Sequence, residues 1–108
     1  MGNDDIMAIL ILLLSPLVEI KGISVVNGVA DVGKGTANLS RILNYCGQKI
    51  PIVKGAERAL RQRGAQFPLK DRKRANELTL LANLQISSLI KTKKTNPYLK
   101  VEEFIYRI

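Results

Sequence analysis

The sequence contains no histidine. That removes the commonest general base and the commonest transition-metal ligand together, so any chemistry here rests on carboxylates, amides, hydroxyls, lysine or arginine. Cysteine is almost absent: Cys46 stands alone, which excludes an intrachain disulfide and every paired-thiolate metal motif. A single cysteine in this setting reads as a small apolar residue near a helix end and suits a reducing compartment. Aromatic residues make up 5% of the chain, too few to supply stacking platforms for nucleic-acid bases. The apolar run from Ile6 to Leu14 falls well short of the roughly 20 residues needed to cross a bilayer. It is preceded by Asp4 and Asp5 where a secretory signal carries positive charge, so no membrane role is expected and the cytoplasm is the expected location. Repeats and low-complexity stretches are also missing. With 46% hydrophobic residues the chain is globular, and 108 residues can bury one core, so it is one domain or part of one.

What is present begins at the amino end. Asp4 and Asp5 sit directly ahead of the apolar run Ile6 to Leu14. Carboxylates at a helix start face the positive end of its dipole, and Asn3 is expected as the N-cap. Because the run is apolar on every side, the helix is expected to be buried. Two readings of the acids stay open at this level. They meet a hard cation or polar ligand at the mouth of a core helix, or they compensate the dipole on a solvent-facing first turn.

Further elements alternate. Ser15-Pro16 ends the first helix, since the residue before proline disfavours helical geometry. Val18 to Val26 reads as a strand and Asn27-Gly28 as a turn. Asp31 to Tyr45 suits a helix, with Leu39, Ile42, Leu43 and Cys46 at helical spacing and Gly47 placed to end it. Ile50 to Val53 is a short apolar strand, and Ala56 to Phe67 is irregular and basic. Arg72 to about Ile90 has helical patterning, with Leu78, Leu81 and Leu84 on one face. Lys91 to Pro97 is a solvated loop, and Val101 to Ile108 starts another helix. Strands alternating with helices imply an α/β chain with a parallel sheet.

Several segments together resemble one family. Gly2-Asn3-Asp4-Asp5-Ile6-Met7-Ala8 resembles the second half of the pattern D-x-D-x-G-x-D-D-x-x-A that opens the inosine–uridine-preferring nucleoside hydrolases. Ser15-Pro16-Leu17-Val18-Glu19-Ile20-Lys21-Gly22-Ile23-Ser24 is similar to the segment leading from the family's first helix into its second strand. Ile50-Pro51-Ile52-Val53-Lys54-Gly55-Ala56 is similar to its I-P-V-x-x-G-A strand and loop. Phe67-Pro68 with Arg72 and Asn76 looks like the F-P-x-x-W-R loop of some members, with Asp71 where tryptophan is usual. The resemblance is strongest over 1–78 and weakest beyond.

The resemblance implies a Rossmann-like open parallel-sheet domain that cleaves the N-glycosidic bond of ribonucleosides, giving ribose and free base. Departure of the base leaves positive charge at the anomeric carbon. In the family a calcium ion fixes the ribose hydroxyls and a water, which it acidifies for attack. Asp5 matches the calcium-ligating aspartate and Asp4 the aspartate that contacts a ribose hydroxyl. The asparagine of the family's V-A-G-N turn contacts the sugar, and Asn27, displaced by two places in Val26-Asn27-Gly28-Val29, is its counterpart here. The D-x-D carrying the general base has no match after Met1. The expectation is therefore a single partial domain, an N-terminal piece without first strand or C-terminal part, with no catalytic residue of its own and no useful activity. Its unpaired sheet edges are expected to favour association between copies.

Two rival readings compete with this one. Gly28-Val29-Ala30-Asp31-Val32-Gly33-Lys34-Gly35-Thr36 fits G-x-x-x-x-G-K-G-T, the phosphate loop of nucleoside monophosphate kinases. Asp31 would place negative charge in the cradle, and no magnesium motif follows, so this nucleotide-binding module ranks second. The net charge of +8 raises nucleic-acid binding. Its sources are Arg58, Arg61, Arg63, Lys70, Arg72, Lys73, Arg74, Lys91, Lys93 and Lys94. Few aromatics and no known nucleic-acid module accompany them, so a solvated basic face is expected instead and no nucleic-acid partner.

Overall fold

In a computed structural model, residues 1–58, 60, 67–78, 93–95 and 97–107 are described. The chain runs α1 (Asn3–Leu14), β1 (Ile23–Val25), α2 (Val32–Tyr45), β2 (Ile52–Lys54), α3 (Leu69–Asn76) and α4 (Val101–Arg107). β1 and β2 pair in parallel, with Ile23 opposite Ile52, Ser24 opposite Val53 and Val25 opposite Lys54. On the far side of β2, Leu99 bridges Val53 in parallel, and its N–H donates to the Ile52 carbonyl at 2.9 Å. A parallel pair joined through a helix is the βαβ arrangement, and with helices added the chain is an incomplete α/β domain. The described sheet is open along the outer edge of β1.

α2 is the amphipathic element that holds these pieces together. Val32, Leu39, Ile42 and Leu43 are buried at helical spacing, and the last three pack with Val25, Ile52, Ile6 and Leu78 in one core. Gly47 takes φ +70°, where a β-carbon is strained, and its N–H donates to the Asn44 carbonyl at 3.2 Å as the helix ends. Cys46 falls at the C-cap and is an exposed residue, not a core one, although local burial pushes its thiol pKa up.

Four expectations are corrected. α1 is not buried: Ile6 is its one buried residue, while Met7, Ile11 and Leu14 are 51%, 63% and 84% exposed. A two-stranded sheet is too narrow to cover a helix that is apolar all round. The N-cap is Gly2, with Asn3 already in the first turn. The second element shrinks to Ile23–Val25, because the ladder begins where the Ile23 N–H meets the Pro51 carbonyl at 3.0 Å. The helix expected from Arg72 starts earlier, at Leu69 behind Pro68, and stops at Asn76, with Leu78 in the left-handed region at φ 56°. Leu81, Leu84 and the rest of that expected helix lie outside the described residues, as do Arg61, Arg63 and Lys91.

Candidate functional site

Asp5 lies in the first turn of α1 and its Oδ2 accepts the N–H of Gly2 at 2.9 Å. This satisfies one of the four amide donors that a helix start leaves open. The carboxylate therefore has a structural task, and its other oxygen is not used by that bond. Asp4 is exposed, and its Oδ1 lies so close to Gly2 that a β-carbon there would stand 2.8 Å from it. Glycine at this position lets the acid fold back over the helix start.

Asn27 reaches the same place from the sheet. Its N–H donates to the Ala56 carbonyl at 3.1 Å, so the residue is held where β1 ends and the chain turns. Between α1 and β1 lies a cavity of about 610 Å³ that runs along the strand from Ile23 to Val26 and on past its C-terminal end, where Asp4, Asp5, Asn27 and Phe67 border it. Ligands in open α/β sheets bind at the carboxyl ends of strands, and one end of this cavity reaches that place. A second hollow of about 410 Å³ lies at the opposite end of β2, around Leu43, Gln48 and Leu99, and no carboxylate among the described residues lines it.

The turn after Asn27 is fixed from a distance. Arg72 on α3 donates to the Gly28 carbonyl at 3.3 Å and also pairs with Asp31, the N-cap of α2. Asn76 donates to Asp31 Oδ2 at 3.1 Å, and the Asp31 N–H donates to Asn76 Oδ1 at 3.0 Å. Asn38 of α2 completes the tie by donating to the Asn76 carbonyl at 2.9 Å. Arg72 and Asn76, quoted in the sequence only as parts of a loop resemblance, thus clamp the segment that carries Asn27. Phe67, from the same loop resemblance, brings an apolar ring to the cavity. No local signal reveals either role, because both depend on contacts about forty residues away.

The phosphate-loop reading does not survive this geometry. Asp31 is engaged by Arg72 and Asn76. α2 begins at Val32, so only four residues, Gly28 to Asp31, remain outside the helix. The Thr36 hydroxyl is wholly buried and donates to the Val32 carbonyl, leaving it unable to reach a magnesium ion. A phosphate cradle needs an open loop and a free hydroxyl, and neither is present.

The fit to calcium is incomplete. Calcium takes about 6–8 oxygen ligands. Asp5 already uses one oxygen on a backbone amide, and no group of three or more His, Cys, Asp or Glu converges anywhere among the described residues. The residues present do not close a calcium site by themselves. No described helix is long and apolar enough to cross a membrane.

A parallel pair of strands flanked by helices defines the chain as α/β in class. The sequence profile of the inosine-uridine preferring nucleoside hydrolases matches residues 1–95, and the chain belongs to that family. The match runs past residue 78, beyond which individual motifs are no longer recognisable. Comparisons with curated proteins and with solved structures gave no match.

Proposed function

We propose that this chain carries the ribose-facing part of a cytoplasmic nucleoside hydrolase and that, as a 108-residue polypeptide, it holds a ribonucleoside without cleaving it. The observation that carries the reading is the convergence of Asp4, Asp5 and Asn27 on one cavity where it reaches the carboxyl end of β1. In it, Asp4 and the Asn27 amide accept and donate hydrogen bonds to ribose hydroxyls. Asp5 keeps the helix start in place and offers its remaining oxygen as one ligand of a calcium ion. The apolar Phe67 ring faces the heterocycle. Cleavage needs a base to take a proton from water and further oxygens to hold the metal, and the two carboxylates here do not provide both.

The test is a titration of the isotope-labelled chain with inosine or uridine, with calcium present, read by backbone amide shifts. Shifts at Gly2 to Asp5 and Asn27 to Val29, weakened in the Asp4→Asn variant and accompanied by no released base, are expected. Shifts elsewhere only, or none at saturating nucleoside, would sink the binding claim. Released base at an enzyme-dependent rate would sink the claim of inactivity.

A further inference from the structure

We propose that the face built by the connections entering the amino ends of the parallel strands docks this chain on an anionic membrane surface. Parallel strands are all entered from the same side. Residues 15–22 lead into β1, 46–51 lead into β2, and 93–95 and 97–98 lead to Leu99 beside Val53. The three connections therefore share one pole, opposite the end of β1 that Asn27 follows. They are also tied together. The Ile23 N–H meets the Pro51 carbonyl at 3.0 Å, Asn44 Nδ2 donates to the Lys94 carbonyl, and Gln48, Lys49 and Pro97 border one hollow.

This pole gathers two kinds of side chain. Leu14 ends α1 at 84% exposure, Leu17 follows at 93%, and Val18 and Tyr45 are exposed as well. At such values a leucine touches almost nothing of its own chain and projects into solvent. Lys21, Lys49, Lys93 and Lys94 lie in the same connections, and all four are exposed. Glu19, paired with Lys21 at 2.7 Å, is the one acidic residue these connections carry. Lys49, Lys93 and Lys94 form no ion pair among the described residues.

Charge and shape together select the occupant. A cationic pole calls for an anionic partner, and the cytoplasmic leaflet carries a negative surface potential. A protein partner needs a broad complementary patch of about 800 Å² on each side. Projecting leucines need no such patch, because each enters the boundary between headgroups and acyl chains by itself, with tyrosine and lysine at headgroup level. The expectation of no membrane role followed from the lack of a spanning run and of a signal, which bears on crossing a bilayer and not on adsorbing to one. The inference uses surface residues at the far pole and is independent of nucleoside binding.

Co-sedimentation of the chain with vesicles of mixed phosphatidylcholine and phosphatidylserine tests it, with phosphatidylcholine alone as the reference. The chain should pellet with the anionic vesicles, less so as salt rises, and stay in solution with the neutral ones. Leu14→Ser combined with Leu17→Ser should weaken binding about tenfold. Lys93→Glu combined with Lys94→Glu should weaken it by about tenfold or more. All four side chains are exposed, so circular dichroism should stay unchanged. Lys70→Glu with Lys73→Glu makes the same charge change on α3, which is tied to the opposite end of the sheet, and should weaken binding less. No binding to the anionic vesicles overturns the proposal. So does equal loss from the two lysine pairs, which means diffuse attraction to a basic chain. Binding undiminished in the leucine variant also overturns it and leaves the pole to an acidic macromolecule.

Discussion

Asp31 and Asn76 hold each other by two hydrogen bonds, the Asp31 N–H donating to Asn76 Oδ1 at 3.0 Å and Asn76 Nδ2 donating to Asp31 Oδ2 at 3.1 Å. The pair spans 45 positions of sequence and joins the start of α2 to the end of α3. Asn76→Ala removes both bonds and leaves the Asp31 amide to water. Because Asp31 is solvent-exposed, the loss should be modest, about 1 kcal/mol in urea unfolding. Asn76→Asp should be worse than Ala, since it sets two carboxylates against each other. Equal stability of all three chains would show that the clamp contributes nothing.

The core rests on α2, so its centre should be costly to hollow. Leu39 is fully buried, and Leu39→Ala should destabilise by about 3 kcal/mol. Leu17 is 93% exposed, and Leu17→Ala should change stability by less than about 0.5 kcal/mol. Denaturant midpoints compared at constant slope give both numbers. Similar costs at the two sites would mean that the packing described around Leu39 is wrong.

Cys46 should react slowly for an exposed residue. Burial around the thiol pushes its pKa above the ordinary 9.0, so the nucleophilic thiolate is scarcer in the folded chain than in the unfolded one. The folded state thus holds the proton more tightly, and this contribution to stability is present below the ordinary pKa and is lost as pH rises through the raised one. Iodoacetamide labelling at pH 8 should be slower for native than for urea-unfolded protein. Faster labelling of the native chain would contradict the environment assigned to the sulfur.

ATP with magnesium should leave the thermal midpoint unchanged, and Lys34→Ala should not alter that result. A ligand that binds only the folded state raises its stability in proportion to occupancy. The buried Thr36 hydroxyl and the paired Asp31 leave no cradle for phosphates. A concentration-dependent rise that Lys34→Ala removes would revive the nucleotide-binding reading.

Much of the organisation is visible in the residues. Leu39, Ile42 and Leu43 recur at the helical period, and the structure buries all three. Asp31 before the helix and Gly47 after it mark its ends to within a residue. The order of the Gly2-to-Ala8, Ser15-to-Ser24 and Ile50-to-Ala56 segments is enough to indicate the family that the profile match shows. The errors share a cause. Apolar composition gave α1 as buried, and a strand pattern extended β1 back to Val18, because both readings assume partners on every side. Pairing and coverage are properties of neighbours, and the described sheet has two strands.

Local chemistry in the sequence alone settled where α2 starts and stops and that two acids stand at the head of α1, since these follow from dipoles and periodicity, and the alternation of strands with helices settled that the strands are parallel. Tertiary structure alone decided that Asn27 and Phe67 share a cavity with those acids, that Arg72 and Asn76 brace the turn beside it, and that the Thr36 hydroxyl is shut away. Most of these outcomes depend on contacts between residues distant in the chain, Arg72 and Asn76 lying about forty positions from the turn they brace, and their formation requires the core to close.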